Sequence, residues 1–160
     1  MCAIRKACLK DYRTIVNIMK ESTTEEEVEE FVPPEGISPK FLGELKDELN
    51  RLDNSVIIAE KKGIPVGFAF YRPTKNSVEI EEVDVRKEFQ GQGIGKALIR
   101  HIENVAKERG LKRLITGTSI NKEGKQWKAY GFWIHIGFAD TGKRIDGPQG
   151  LRYAKLVKQL

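Results

Sequence analysis

Apolar and polar positions recur along this chain in two rhythms, and each rhythm predicts a kind of element. Tyr12, Ile15, Val16, Ile18 and Met19 recur at helical spacing, and Asp11 stands where a helix cap belongs. A first helix is therefore expected from Asp11 to about Glu21, after a short strand at 4–7. Phe41, Leu42, Leu45, Leu49 and Leu52 mark a second helix, with Ser38 as its cap. Between the two lie an acidic run at 21–30 and a turn-rich break at 31–36. Strands at 55–61 and 64–71 form a hairpin around Lys62-Gly63, and a third strand follows at 77–85. Ile94, Ala97, Leu98, Ile102 and Val105 mark a long helix to Arg109, closed by Gly110. A strand at 112–118, a helix at 126–136 ended by Gly137, and strands at 138–145 and 151–157 complete the chain. Strand, two helices, three strands, helix, strand, helix, two strands is the order of a mixed α/β domain, taken as one domain over residues 1–160.

The strand at 77–85 changes phase. Val78 and Ile80 share one parity, Val83 and Val85 the other, and the switch falls at Glu81-Glu82. One extra residue, a β-bulge, produces such a slip. A strand ending at Ile80 and a new one beginning at Val83 is the alternative; the bulge is the reading adopted.

Composition narrows the class. Hydrophobic residues are 39% and charged residues 32% of 160, which describes a globular chain long enough for a substantial core. The longest apolar runs are strand-sized, far short of the ~20 residues of a membrane helix, and the first residues lack the apolar run of a signal peptide. Cys2 and Cys8 are the only cysteines, and incidental thiols in a reduced, cytoplasmic chain account for them. Net charge is +5, with the cations scattered among 23 acids, so a mixed solvated surface is expected in place of a nucleic-acid or membrane partner. No Cys/His cluster has metal-ligand spacing, and His101 and His135 are expected in surface or packing roles.

The chemistry concentrates at 83–96. There a strand, Val83-Asp84-Val85, leads through Gln90-Gly91-Gln92-Gly93-Ile94-Gly95-Lys96 into an amphipathic helix. Glycines let backbone approach a ligand closely. A helix start offers unpaired N–H groups and about half a positive charge. Together they make a phosphate cradle. The P-loop pattern fails, because Gln90 and Ala97 stand where it needs Gly and Ser or Thr. The dinucleotide pattern fails on spacing, G-x-G-x-G in place of G-x-G-x-x-G.

Gln90 to Gly95 closely resembles the [Gln/Arg]-x-x-Gly-x-[Gly/Ala] signature of the GNAT N-acetyltransferases. Lys87-Glu88-Phe89, Lys96-Ala97-Leu98, Gly137-Phe138 and the opening Ile4-Arg5-Lys6-Ala7 with Asp11-Tyr12 are similar to that family too. The resemblance runs from Ile4 to about Val157. It implies a GNAT-like fold: a mixed, mostly antiparallel sheet of six or seven strands, the fourth bulged, flanked by about four helices. It also implies acetyl-CoA as co-substrate. The backbone of Val83, Asp84 and Val85 would pair with the pantetheine arm. Gln90, Gly91, Gln92, Gly93, Ile94, Gly95 and Lys96 would form the pyrophosphate site. A homodimer through the final strands is compatible by analogy.

Acetyl transfer to an amine needs the amine neutral. For a lysine-like amine of pKa near 10.4, deprotonation at pH 7 costs about 4.6 kcal/mol, so a general base is wanted. Candidates are Glu79, Glu81, Glu82 and Asp84, of which Glu81 is preferred and Glu82 second. The family's usual tyrosine acid lies four residues before the Gly-Phe, and here that position is Trp133, whose indole is no useful acid. Tyr130, one turn earlier, is the candidate substitute; otherwise the thiolate leaves without a protein acid. The family's Asn would fall at Gln126, or be displaced to Asn121. Two functions fit: transfer of acetyl to a small-molecule, peptide or protein amine, or an acyl-CoA-binding sensor or partner subunit without turnover.

Overall fold

The computed structural model describes residues 2–22, 37–120, 128–146 and 152–160. The element order follows the sequence: β1 (Ala3–Lys6), α1 (Tyr12–Ser22), α2 (Pro39–Leu49), β2 (Val56–Lys61), β3 (Ile64–Pro73), β4 (Val78–Val85), α3 (Ile94–Glu108), β5 (Arg113–Ile120), α4 (Lys128–His135), β6 (Ala139–Asp146) and β7 (Arg152–Gln159). Short 3₁₀ turns at Leu9–Asp11 and Lys87–Phe89 precede α1 and α3. The seven strands form one sheet in the order β1-β2-β3-β4-β5-β7-β6. β1–β2, β2–β3, β5–β7 and β6–β7 are antiparallel, and β4–β5 is parallel. This is the mixed α/β fold the sequence predicts. Contacts group the chain into two compact units, Met1–Arg72 with Glu82–Ile102, and Pro73–Glu81 with Glu103–Leu160.

The first unit has its core where α1 and α2 lie on β2 and β3. Ile15, Ile18, Met19, Leu45 and Leu49 pack with Val56, Ile58, Phe68 and Phe70. Burying each such side chain is worth roughly 1.5–3 kcal/mol. Lys62 and Gly63, at φ 53° and 76°, make the mirror-image turn whose twist suits a tight hairpin. Three expectations are corrected here. Asp11 ends the 3₁₀ turn and does not cap α1 from outside. Its buried carboxylate accepts the Cys8 amide at 2.8 Å and both ends of the Arg5 guanidinium at 2.9 Å. Ser38 occupies the position before α2, but its side chain makes no capping bond, only its carbonyl accepts the Leu42 amide at 3.1 Å. Leu52 lies beyond α2 and is 99% exposed, so the apolar stripe ends at Leu49.

In the second unit, β5 alternates buried and exposed positions with period two, as a half-buried strand should. β7 pairs with β5 and β6 on either side, leaving β6 as an almost wholly exposed edge. Trp133 of α4 is buried, its ring 5.0 Å from Phe138 and 5.2 Å from Phe132, both edge-on. Lys158 ties Glu103 to the carbonyl of Ile136, the latter at 2.9 Å.

β4 is a single strand with an internal slip of phase. Two bonds locate it. The Ile80 carbonyl accepts the Thr116 hydroxyl of β5 at 3.2 Å, so the backbone of Ile80 faces β5. The Arg86 amide donates to Val66 of β3 at 2.8 Å, so the backbone of Arg86 faces β3. The two residues share parity yet face opposite edges, which requires one extra residue between them. The β3–β4 bonds agree. From the Thr74–Ser77 pair to the Val66–Arg86 pair, β4 advances nine positions while β3 retreats eight.

Candidate active site

The slip decides which backbone groups β4 presents. With Arg86 facing β3, Asp84 faces β3 as well, and Val83 and Val85 face the other way. The ladder from β4 to β5 covers Val78, Glu79 and Ile80 and goes no further. Val83 and Val85 are half-buried. Asp84 departs from the expectation that all three residues share one role. Its carbonyl is turned to Gly67 of β3, and its carboxylate meets the Ser22 hydroxyl at 2.8 Å.

Gly67 explains how closely β3 approaches. A Cβ there would come 3.0 Å from the Asp84 carbonyl oxygen and 3.3 Å from both Ile94 Cγ2 and Val85 Cγ2. Only a glycine lets β3, β4 and the start of α3 meet at this point.

Next comes the turn. Gly91 and Gly93 have φ of 78° and 83°, the left-handed region where a side chain is strained. Nothing lies within 4 Å of where their Cβ atoms would be, so this face of the turn is open. Gln90 braces the turn from behind, its side-chain amide donating to the Val85 carbonyl at 3.0 Å. That bond joins the turn to the strand. Gln92 is exposed and accepts the Lys61 ammonium at 2.8 Å. The first intrahelical bond of α3 runs from Ala97 to the Gly93 carbonyl at 3.0 Å, leaving the amides of Ile94, Gly95 and Lys96 without helical acceptors. No acidic side chain lies in that first turn to compete for them, and Lys96 there is exposed. Open glycines, unpaired amides and a helix dipole fit an anionic diphosphate, and the outward edge at Val83 and Val85 fits an extended amide chain.

The acid–base candidates are placed differently. Glu79 is held within the β4–β5 ladder opposite Ile115. Glu81 is exposed, immediately past the end of that ladder, and Glu82 is half-buried. The Tyr130 hydroxyl donates to Asp140 at 2.8 Å. Asp140 also takes a two-pronged contact from Arg144, at 2.9 and 3.0 Å, and the Gly142 amide at 2.8 Å. Arg144, with these other donors, holds the Asp140 carboxyl well below the usual carboxylate range. The bond to Asp140 in turn raises the Tyr130 phenol above its ordinary value. Asn121 and Gln126 lie outside the described residues. His101 is half-buried and His135 exposed, and among the described residues no cluster suited to a metal ion is found. The sequence offered no sign of the Ser22, Gly67 and Lys61 contacts, each of which depends on residues distant in the chain.

Comparison with known proteins accords with this geometry. The family model described as "Acetyltransferase (GNAT) family" matches residues 20–132, and the chain belongs to that family. It is an acyltransferase of a family that uses acetyl-CoA as its donor. The spermidine N(1)-acetyltransferase of Thermoplasma acidophilum is 24% identical over 116 residues, covering 68% of this chain and 72% of its own. The fold is shared with Ard1 of Thermoplasma volcanium, at a TM-score of 0.76 and 17% identity over 99% of this chain and 97% of the other. It is shared also with the PaiA N-acetyltransferase of Thermoplasma acidophilum, solved in complex with coenzyme A. There the TM-score is 0.72 at 17% identity, over 100% of this chain and 99% of the other. Among the described residues no helix is long and apolar enough to cross a membrane.

Proposed function

We propose that this chain transfers the acetyl group of acetyl-CoA to a primary amine by direct attack of the neutral amine on the thioester. The observation that carries this reading is the phase slip in β4. It turns Val83 and Val85 outward, next to a glycine turn and helix start with unpaired amides. In the proposed site, the amides from Gly91 to Lys96 hold the diphosphate, and the edge at Val83 and Val85 aligns the pantetheine arm. Acetyl-CoA supplies an activated acyl carbon. The chain's own part is to bind it, to orient it, and to take a proton from the incoming ammonium.

Glu81 is the proposed base, acting directly or through a water, because it is exposed just past the last β4–β5 pair. Glu82 is the second candidate. The amine nitrogen bonds to the acyl carbon, the carbon–sulfur bond breaks, the thiolate leaves, and the nitrogen's second proton passes to water as the amide forms. We read the thiolate as leaving without a tyrosine proton. The Tyr130 hydroxyl is committed to Asp140, and Trp133 is packed among aromatic rings. An ordinary thiol of pKa near 8.5 is a competent leaving group near neutrality. The spermidine activity named for the relative makes polyamines the first amines to try, peptide and lysine amines the next. The free thiols Cys2 and Cys8 suit a reducing, cytoplasmic setting.

The test is thiol release from acetyl-CoA across such a panel, alongside calorimetry of acetyl-CoA binding. Amine-dependent release above the hydrolysis background is expected. Tight binding with no release for any amine would leave the chain a binding module, and no binding at all would remove the proposed site.

A further inference from the structure

Lys61 closes β2, one residue before the Lys62-Gly63 turn, and belongs to none of the elements that form the cradle. Its ammonium nevertheless reaches the glycine turn, at the side chain of Gln92. It donates to Gln92 Oε1 at 2.8 Å and stands 5.9 Å from the centroid of the Phe89 ring. Gln92 is the residue between Gly91 and Gly93, and Phe89 ends the 3₁₀ turn that leads into them. Among the described residues Lys61 has no carboxylate partner. An amide oxygen and an aromatic face hold an ammonium in place, but neither neutralises it. The charge is held beside a turn that opens onto the start of α3, which already carries the positive end of the helix dipole and has no acid in its first turn. An anion bound at this turn would draw on both positive charges.

We propose that Lys61 is a phosphate-binding residue of the donor site, its ammonium forming a charge-assisted hydrogen bond to a phosphate of acetyl-CoA. This rests on acetyl-CoA lying against the amides from Gly91 to Lys96. The diphosphate and the 3′-phosphate offer the same chemistry, and the ligands below distinguish them.

The experiment is calorimetry of wild type, Lys61→Met and Lys61→Arg with CoA, dephospho-CoA and pantetheine, at low and high salt, with a melting curve for each variant. Lys61→Met is expected to weaken CoA about tenfold, the size of one charge-assisted hydrogen bond, and to flatten the salt dependence. Lys61→Arg should keep most of the affinity, and pantetheine should bind both forms alike. A loss retained with dephospho-CoA places Lys61 on the diphosphate; a loss confined to CoA places it on the 3′-phosphate. CoA affinity within twofold of wild type in Lys61→Met would overturn the proposal. So would an equal loss with pantetheine, which would make Lys61 a brace for the turn. If wild type itself binds no CoA, the location of the donor site fails and this role fails with it.

Discussion

The Ser22 hydroxyl lies 2.8 Å from Asp84 Oδ1, so the last residue of α1 grips the end of β4. A second contact runs parallel to it. Arg86, the residue after β4, donates to Glu21 at 2.7 Å and to the Pro65 carbonyl at 2.9 Å. Both fix the segment that positions Val83 and Val85. The Ser22–Asp84 contact should therefore be worth about 1 kcal/mol as a coupling energy. Denaturant unfolding of Ser22→Ala, Asp84→Ala and the double variant measures it, and a coupling near zero would show the contact to be incidental.

Gly93→Val should weaken acetyl-CoA binding by tenfold or more. At φ 83° a β-branched residue is strained by roughly 1–2 kcal/mol, and its side chain enters the open face where the diphosphate is placed. Calorimetry with a melting curve separates the two effects. Unchanged affinity in a folded variant would move the donor elsewhere.

Glu81→Gln should lower kcat about 10²-fold near pH 7 with a high-pKa amine, and the deficit should shrink as pH approaches the pKa of the amine itself. At that point solvent has removed the proton the base would take. A pH–rate profile that falls uniformly would give Glu81 a binding role; no fall would pass the assignment to Glu82.

Tyr130→Phe should leave kcat within about twofold if the thiolate departs unassisted. The same variant checks the phenol. Donation to Asp140 favours the neutral form, so the folded-state pKa exceeds the unfolded one. The stabilisation is then complete below the ordinary tyrosine pKa near 10 and is lost as pH rises through the raised value. Among the four tyrosines, the ultraviolet titration difference between wild type and Tyr130→Phe should show a midpoint above 10. A tenfold fall in kcat would instead make Tyr130 the acid.

Much of this was legible in the chain, for reasons specific to each residue. Val78, Ile80, Val83 and Val85 report the phase of β4 because each side chain must choose a face, and the slip they show is the one the backbone makes. The glycines at 91 and 93 announce the turn because few other residues tolerate its conformation. Local periodicity could not show that Asp11 turns back to Arg5, since that depends on where β1 ends. Nor could it show that Leu52 is left in solvent, since its spacing matches the helix that stops before it. Lys61 and Ser22 reach their partners across 31 and 62 residues, and such contacts exist only once the strands are paired.

A strand with one residue too many can face two clients with one edge. Up to Ile80 that edge serves the sheet; from Val83 it is turned to whatever docks beside it. Deleting one residue at Glu81-Glu82 would restore the alternation and exchange the face of every later side chain in the strand. Val83 and Val85 would trade sides with Asp84 and Arg86. The outward edge would be lost through a change of frame, with Val83, Asp84 and Val85 all still present.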